Sequence, residues 1–168
     1  MEKELFVPFV IDKPVVYSAL SELMINALNE TFFAQCGDVE IYHLDGKWCI
    51  RDYGRGLSLS HFYESGNVEK LFYKNAMTPG RMTLKDAVAL LKTQLVELVI
   101  FSQHGTFTFE IEHVNDIENK GSLKIKCSEP FDLDFKGTLI EITNIEEALI
   151  WKARATLLQF SKDTVVDH

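Results

Sequence analysis

One segment of the sequence, if helical, is apolar around most of its circumference, and this feature constrains the fold most strongly. The helix is expected to begin after Pro14, with Asp12 as a candidate N-cap, to run to about Gln35 and to stop at Gly37. A helix of this kind has to be packed on several sides. Its apolar residues are Val15, Val16, Ala19, Leu20, Leu23, Met24, Ala27, Leu28 and Phe32.

The same helix carries a narrow polar stripe. Ser18, Glu22, Asn26 and Asn29 follow one another at helical spacings, which bring all four side chains onto one face. The stripe holds one carboxylate and two carboxamides rather than the long charged side chains of an ordinary wet surface. It is therefore either a modest solvent-facing stripe or the polar wall of a binding site.

A β-hairpin is predicted directly after this helix. Residues Asp38 to Leu44 and Lys47 to Asp52 have strand character, and Asp45-Gly46 between them is a strong signal for a two-residue type I′ turn. We therefore expect two antiparallel strands here.

The second strand of the hairpin ends in an unusual way. Asp52 stands at its end, and Gly54 and Gly56 follow at once. A carboxylate beside two glycines suits a pocket in which the backbone approaches a ligand closely. A plain tight turn after a strand gives the same pattern, so the motif is weak by itself.

The remaining elements predict an α/β two-layer sandwich, in which three helices cover one face of a mixed β-sheet. Residues 1–160 are expected to form one domain, and residues 161–168 a frayed tail. The segment from Tyr53 to Met82 is predicted to be a long loop with a short helix near Val68 to Lys74. Further strands are predicted at Leu5–Ile11, Leu95–Gln103, Thr106–His113, Ser122–Cys127 and Thr138–Thr143, a polar loop at Asn115–Gly121, and helices at Thr83–Gln94 and Ile145–Phe160.

Three motifs together resemble the ATP-binding domain of the GHKL superfamily, which includes gyrase B-type topoisomerase subunits, the large heat-shock chaperone, histidine kinases, MutL and MORC proteins. The motifs are the helix sequence ELMINALNE, the hairpin with its continuation DVEIYHLDGKWCIRDYGRGL, and the strand GTLIEI that starts at Gly137. They occur in family order, and the resemblance covers roughly residues 5 to 145. The local match is best to the gyrase B and MORC branches, and it implies the two-layer fold known as the Bergerat fold.

The resemblance implies roles for the helix residues. Glu22 takes the position of the catalytic base that orients and deprotonates a water molecule. Asn26 takes the position of the Mg²⁺ ligand, since this ion prefers oxygen ligands. Asn29 and Glu30 are further candidates for the cofactor site, with Glu30 paired to Arg55.

The resemblance also implies how adenine is recognised. Asp52 would accept a hydrogen bond from the exocyclic amine of the base, assisted by Thr138 on a neighbouring strand. Gly54 and Gly56 would leave room for the base near the backbone. Taken alone, Thr138 is an ordinary β-branched strand residue.

The phosphate-binding lid departs from the family pattern. The family has two glycines before its second helix, and here Arg81 and Thr83 replace them, with only Gly80 nearby. Lys85 stands where the MORC-like branch has its phosphate-binding lysine, although it could equally be a solvated helix residue. ATP binding is therefore expected, while efficient hydrolysis depends on whether Lys85 and helix amides replace the glycines.

Charge and cysteine content restrict the kinds of partner and the cellular compartment that this chain is expected to have. The net charge of −8 and a pI of about 5.1 disfavour direct binding to nucleic acid. The three cysteines contain no CxxC pair, which suits a reducing cytoplasm, and no apolar run is long enough to span a membrane. The five histidines show no metal-ligand spacing and are expected at the surface or in turns.

These features predict an Mg²⁺-dependent module of the gyrase B/MORC-like type that binds ATP and ADP and is expected to hydrolyse ATP. Closure of its lid would drive homodimerisation or act on a partner domain or protein. Two alternatives remain: a stand-alone serine kinase of the anti-sigma-factor type, and a degenerate module that binds nucleotide or protein without turnover.

Overall fold

The computed structural model describes residues 2–11, 15–35, 37–63, 82–115, 117–158 and 165–167. The elements are strands β1 (Lys3–Val10), β2 (Val39–Leu44), β3 (Lys47–Asp52), β4 (Glu97–Ser102), β5 (Gly105–Asn115), β6 (Lys120–Ser128), β7 (Thr138–Thr143) and β8 (Val165–Asp167), and helices α1 (Val16–Ala34), α2 (Ser60–Tyr63), α3 (Leu84–Thr93) and α4 (Glu147–Leu158).

The strands form one eight-stranded sheet in the order β1-β6-β5-β4-β7-β3-β2-β8. Seven of them run antiparallel to their neighbours, while β8 pairs with β2 in parallel, which makes the sheet mixed. The predicted α/β architecture is confirmed at this level. The prediction of a frayed tail is wrong for residues 165–167, because their backbone pairs with the exposed edge of β2.

The core lies between the sheet and the helices. Alternate strand residues point toward the helices and are buried, as Ile50, Ile100 and Ile140 show, because successive side chains on a strand point to opposite faces. Helix α1 packs against α3, α4, β2 and β3, which explains why it is apolar on nearly every side.

The ends of α1 differ from the prediction. Val15 occupies the N-cap position of α1 and makes no side-chain hydrogen bond there, while the predicted N-cap Asp12 and Pro14 lie outside the described residues. At the other end α1 stops at Ala34, before the predicted Gly37. Gln35 is the C-cap residue, with φ 51°, and its N–H donates to the Thr31 carbonyl, while Gly37 has φ 66° beyond the helix end.

The predicted hairpin is confirmed, with Asp45 and Gly46 at φ 53° and 80° between β2 and β3. Strand β3 then pairs with β7, and this pairing sets Asp52 directly opposite Thr138. Strand β4 pairs with the other side of β7 and sets Ser102 opposite the same threonine. Three polar residues therefore form a row at the end of three adjacent strands.

Other boundaries shift by a few residues. The predicted polar loop at Asn115–Gly121 is shorter, because β5 continues to Asn115 and β6 begins at Lys120. The predicted short helix near Val68 to Lys74 lies outside the described residues, whereas α2 forms earlier, at Ser60–Tyr63. No helix among the described residues combines the length and apolarity needed to cross a membrane.

Candidate functional site

A small cavity lies between α1 and the ends of β3 and β7. It encloses about 30 Å³, which is room for roughly one or two water molecules. The polar side chains in its wall come from four elements, α1, α2, β3 and β7, and the remaining wall is mostly apolar. The lining residues are Leu23, Asn26, Ala27, Glu30, Asp52, Gly56, Leu57, His61, Leu84, Ile100, Thr138 and Ile140.

Asp52 is the buried carboxylate of this cavity, with 4% of its surface exposed. Its Oδ1 accepts a hydrogen bond of 2.9 Å from the Gly54 N–H. Burial raises the pKa of Asp52 to about 7, and the negative charge of Glu30 adds to this increase. The Gly54 N–H, the Arg51 charge and the Thr138 N–H oppose it. A carboxyl group with such a pKa changes its protonation state near neutral pH. Its ionised form can accept a hydrogen bond from a ligand donor.

The loop that follows Asp52 is held in place by the strand ends. The Leu57 N–H donates to Thr138 Oγ1 at 2.9 Å, and the Ser102 hydroxyl donates to the Leu57 carbonyl at 2.6 Å. His104 Nε2 lies 3.0 Å from the carbonyl oxygen of Arg55. Thr138 thus supports the loop, and the sequence did not indicate the matching role of Ser102, which is fully buried.

The two glycines of this loop serve different purposes. A Cβ at Gly54 would come within 2.7 Å of the Glu30 Cβ, so this glycine lets the loop pack against α1. Gly56 has φ +83°, which favours glycine, and it lines the cavity itself. The expectation that glycines leave room near the cavity therefore fits Gly56, while Gly54 makes room for Glu30.

The predicted pair of Arg55 and Glu30 is present. Glu30 accepts from the Arg55 backbone N–H at 2.8 Å, and its two oxygens accept from Arg55 Nε at 3.2 and 3.1 Å. Arg55 is about half exposed, so the pair contributes little to stability, on the order of 0–1 kcal/mol. Its effect is to orient Glu30 at the rim of the cavity.

Glu22 and Asn26 lie one turn apart on α1, as the spacing predicts. Glu22 is 3% exposed, and its Oε1 accepts from Asn26 Nδ2 at 3.5 Å. The amide oxygen of Asn26 is buried and has no hydrogen-bond partner among the described residues. A buried amide oxygen without a hydrogen-bond partner destabilises the folded protein. A bound cation, or a ligand group that donates a hydrogen bond to this oxygen, would remove that penalty. Asn29, also predicted for the site, is buried on the same helix but does not line the cavity.

Lys85 is not brought to the cavity. Its Nζ donates to the Pro8 carbonyl at 2.7 Å, on the outer edge of β1. The neighbouring Asp86 accepts from the Val10 N–H at 3.2 Å, so both side chains at the start of α3 pair with an edge strand. Thr83 caps α3 as predicted, whereas Gly80 and Arg81 lie outside the described residues.

His61 contradicts the expectation that the histidines occupy only surface and turn positions. It is half-buried on α2, lines the cavity, and its Nδ1 lies 3.0 Å from the Ser58 backbone nitrogen that donates to it. The spacing of Ser58 and His61 is that of a local turn, which was the one sequence signal for this placement.

Comparisons with known proteins define no family for this chain. No family model matches it. A protein of Mycoplasma pneumoniae, described as uncharacterized, is 29% identical over 150 residues, which cover 86% of this chain and 60% of that protein. The chain thus spans less than two thirds of the length of this relative. The fold and the cavity define an α/β domain with a candidate small-molecule site, and the particular ligand is a matter of proposal.

Proposed function

We propose that this chain is an Mg²⁺-dependent ATP-binding module that resembles the gyrase B/MORC-like branch of the GHKL superfamily. The observation that carries the proposal is the convergence of three sequence motifs on one cavity. Asn26 and Glu30 come from α1, Asp52 and Gly56 from the end of β3 and its loop, and Thr138 from β7.

Adenine is the part of the ligand that this cavity suits best. Ionised Asp52 is an acceptor for the exocyclic amine of the base, and the apolar walls formed by Leu23, Ile100 and Ile140 suit its faces. A purine is larger than the cavity of about 30 Å³. Binding therefore requires lining residues such as Leu57 and His61 to move outward.

Asn26 is the residue that would hold the cation. Its buried amide oxygen lacks a partner in the described parts of the chain, and amide and carboxylate oxygens are the protein ligands that Mg²⁺ uses. When bound, the ion would neutralise charge on the phosphates. Asn26 would contribute one ligand, with water and phosphate oxygens completing the coordination.

Glu22 would support hydrolysis. It is buried next to Asn26, where it could orient a water molecule for attack on the γ-phosphorus and accept its proton, with ADP as the leaving group. The bond between Lys85 and Pro8 favours a second candidate, a module that binds nucleotide without turnover. In either case, nucleotide-dependent closure would drive dimerisation or act on a partner domain, as the resemblance implies.

Isothermal titration calorimetry tests the binding proposal. ATP and ADP should bind in the presence of Mg²⁺, and GTP, which lacks the exocyclic amine of adenine, should bind at least about tenfold more weakly. Asp52→Asn should lower ATP affinity at pH 8 by at least about tenfold, or about 1.4 kcal/mol. Asp45→Asn, in the exposed turn between β2 and β3, is the matched control and should change nothing.

The number of protons released on ATP binding gives a second, independent test of adenine recognition by Asp52. Because the pKa of Asp52 is raised to about 7 and adenine would pair with the ionised form, ATP binding at pH 6.5 should release protons. Titration in two buffers of different ionisation enthalpy measures this release. Equal affinity for ATP and GTP, with no effect of Asp52→Asn, would refute adenine recognition.

A further inference from the structure

We propose that Arg51 is a positioning residue, which holds Asp52 and Thr138 at the spacing needed to recognise the ligand. The inference rests on the proposed function, since it concerns the same cavity. The supporting contacts lie on the opposite face of the sheet, and the family resemblance gives Arg51 no role.

Arg51 cannot touch a ligand in the cavity. It precedes Asp52 on β3, and successive side chains of a strand point to opposite faces of the sheet. The guanidinium therefore lies on the face away from the helices. Any influence on the cavity has to act through the backbone or through its charge.

The guanidinium joins the two strands that carry the recognition residues. Arg51 Nη1 donates to the carbonyl oxygen of Asp52 and, at 3.3 Å, to that of Thr138. These carbonyls belong to the two residues that face each other at the end of the β3–β7 pairing. A planar guanidinium presents several donors in fixed directions, so it can set the separation of two acceptors.

Two aromatic rings hold the guanidinium in place. Its central carbon lies 4.2 Å from the ring centre of Tyr53 and 4.1 Å from that of Phe135. Phe135 in turn packs against Phe131, with ring centres 5.1 Å apart. A cation between two aromatic faces is attracted to both, so its rotation is restricted.

Strands β3 and β7 are crowded next to Gly137, which explains why the Arg51 guanidinium is needed to join them. Gly137 has φ +80°, and a Cβ there would collide with the carbonyl oxygen of Asp52 and the Cα of Tyr53. Strands β3 and β7 thus approach closely just before Thr138, where two carbonyl dipoles lie near each other. The Arg51 cation offsets their repulsion and keeps both residues in register.

The charge of Arg51 also acts on Asp52. On the cavity side, the groups near Asp52 are Glu30 from α1, His61 from α2 and the uncharged Thr138 on β7, while the Arg51 cation acts from the opposite face of the sheet. Among these, Glu30 raises the pKa of Asp52 and Arg51 lowers it. Loss of the Arg51 charge should therefore raise this pKa further and leave less of the ionised form near neutral pH.

The test compares Arg51→Met, which keeps an unbranched apolar stem but removes the donors and the charge, with Arg51→Lys, which keeps the charge. Lys47→Met is the matched control, because Lys47 lies on the same strand and face and pairs with Glu141 instead. Two quantities are measured: ATP affinity by calorimetry at pH 7.5, and the pH midpoint of the Gly54 amide resonance, which reports on its Asp52 acceptor.

Arg51→Met should weaken ATP binding at least about tenfold and raise the Gly54 midpoint, because both the bridge and the charge are lost. Arg51→Lys should restore most of the midpoint but only part of the affinity, since an ammonium lacks the planar fork. Lys47→Met should match wild type in both. A folded Arg51→Met protein with unchanged midpoint and affinity would overturn the proposal.

Two further outcomes remain decisive. If Arg51→Met does not fold, Phe135→Leu, which removes one aromatic wall, should change both quantities in the same directions by smaller amounts, and no change would refute the role. If wild-type protein binds no ATP, the proposed function fails. The Gly54 midpoint then decides separately whether Arg51 controls Asp52, because it is measured without ligand.

Discussion

Asp52→Asn should stabilise the protein at alkaline pH while it weakens ligand binding. The carboxyl group is 4% exposed, and its pKa is raised from 3.8 to about 7. Each tenfold change in proton affinity corresponds to about 1.4 kcal/mol, so keeping Asp52 ionised in the folded state costs about 4 kcal/mol. An asparagine carries no charge and avoids this cost.

The sign of the pH dependence follows from the raised pKa. Between pH 4 and 7 the folded protein binds more protons at Asp52 than the unfolded chain does, so this group lowers the free energy of unfolding as pH rises. The advantage of Asp52→Asn should therefore grow by about 4 kcal/mol from pH 4 to pH 8 and then level off. The new amide group can also change the free energy of unfolding by an amount that does not depend on pH, and this amount cancels in the comparison between pH 4 and pH 8.

Urea unfolding at pH 4, 5, 6, 7 and 8 measures this effect in wild type, Asp52→Asn and the control Asp45→Asn. The control should follow wild type, because Asp45 is an exposed turn residue. Parallel curves for wild type and Asp52→Asn across the whole range would refute the reasoning, since they would mean that Asp52 has an ordinary pKa in the folded protein. Functional destabilisation of this kind is expected where a site keeps a buried charge for its ligand.

Three further predictions concern individual side chains. Glu22→Gln should abolish phosphate release but keep ATP affinity within about twofold by calorimetry, because it removes only the proton acceptor; a parallel loss of binding would make Glu22 structural. Lys85→Ala should leave the ratio of ATP to ADP affinity unchanged, because its Nζ binds Pro8; a selective loss of ATP binding would mean that Lys85 leaves Pro8 for the phosphates. Thr138→Val should lower the free energy of unfolding in urea by about 1 kcal/mol, because the Leu57 N–H loses its acceptor, and an unchanged value would contradict this.

The choice between the two proposed functions, an ATPase and a nucleotide-binding module without turnover, depends on the start of α3. Lys85 and Asp86 pair there with Pro8 and Val10 of the edge strand β1. Such pairing protects an exposed strand edge, which is a structural role. The sequence position of Lys85 matches a phosphate-binding lysine of the resembled family, so phosphate-release measurements together with Lys85→Ala separate the two functions.

Local signals made several elements predictable from the sequence. Helix α1 followed from its apolar periodicity, and the β2–β3 hairpin followed from Asp45-Gly46, whose left-handed conformations only a few residue types adopt readily. The spacing of Glu22 and Asn26 on one helix face was also predictable, since helix geometry alone brings them together.

Residue patterns near the chain ends were less reliable. The tail was predicted to fray because terminal residues are often poorly ordered, yet residues 165–167 pair with β2. Strand pairing depends on whether an edge is available elsewhere in the molecule, which local composition does not encode. His61 was misjudged for the same reason, because its position in the cavity wall depends on how α2 packs.

Local sequence patterns predicted α1, α3, α4 and strands β1 to β7, as well as the polar stripe of α1 and the Asp52 turn, because these depend on neighbours within a few residues. Which groups act together depends instead on the packing of the whole domain. The pairing of β3 with β7 set Asp52 beside Thr138 and placed Arg51 behind both. Burial, which raises the pKa of Asp52, and the bond that turns Lys85 toward Pro8 depend on packing between segments far apart in sequence, so no local pattern could predict them.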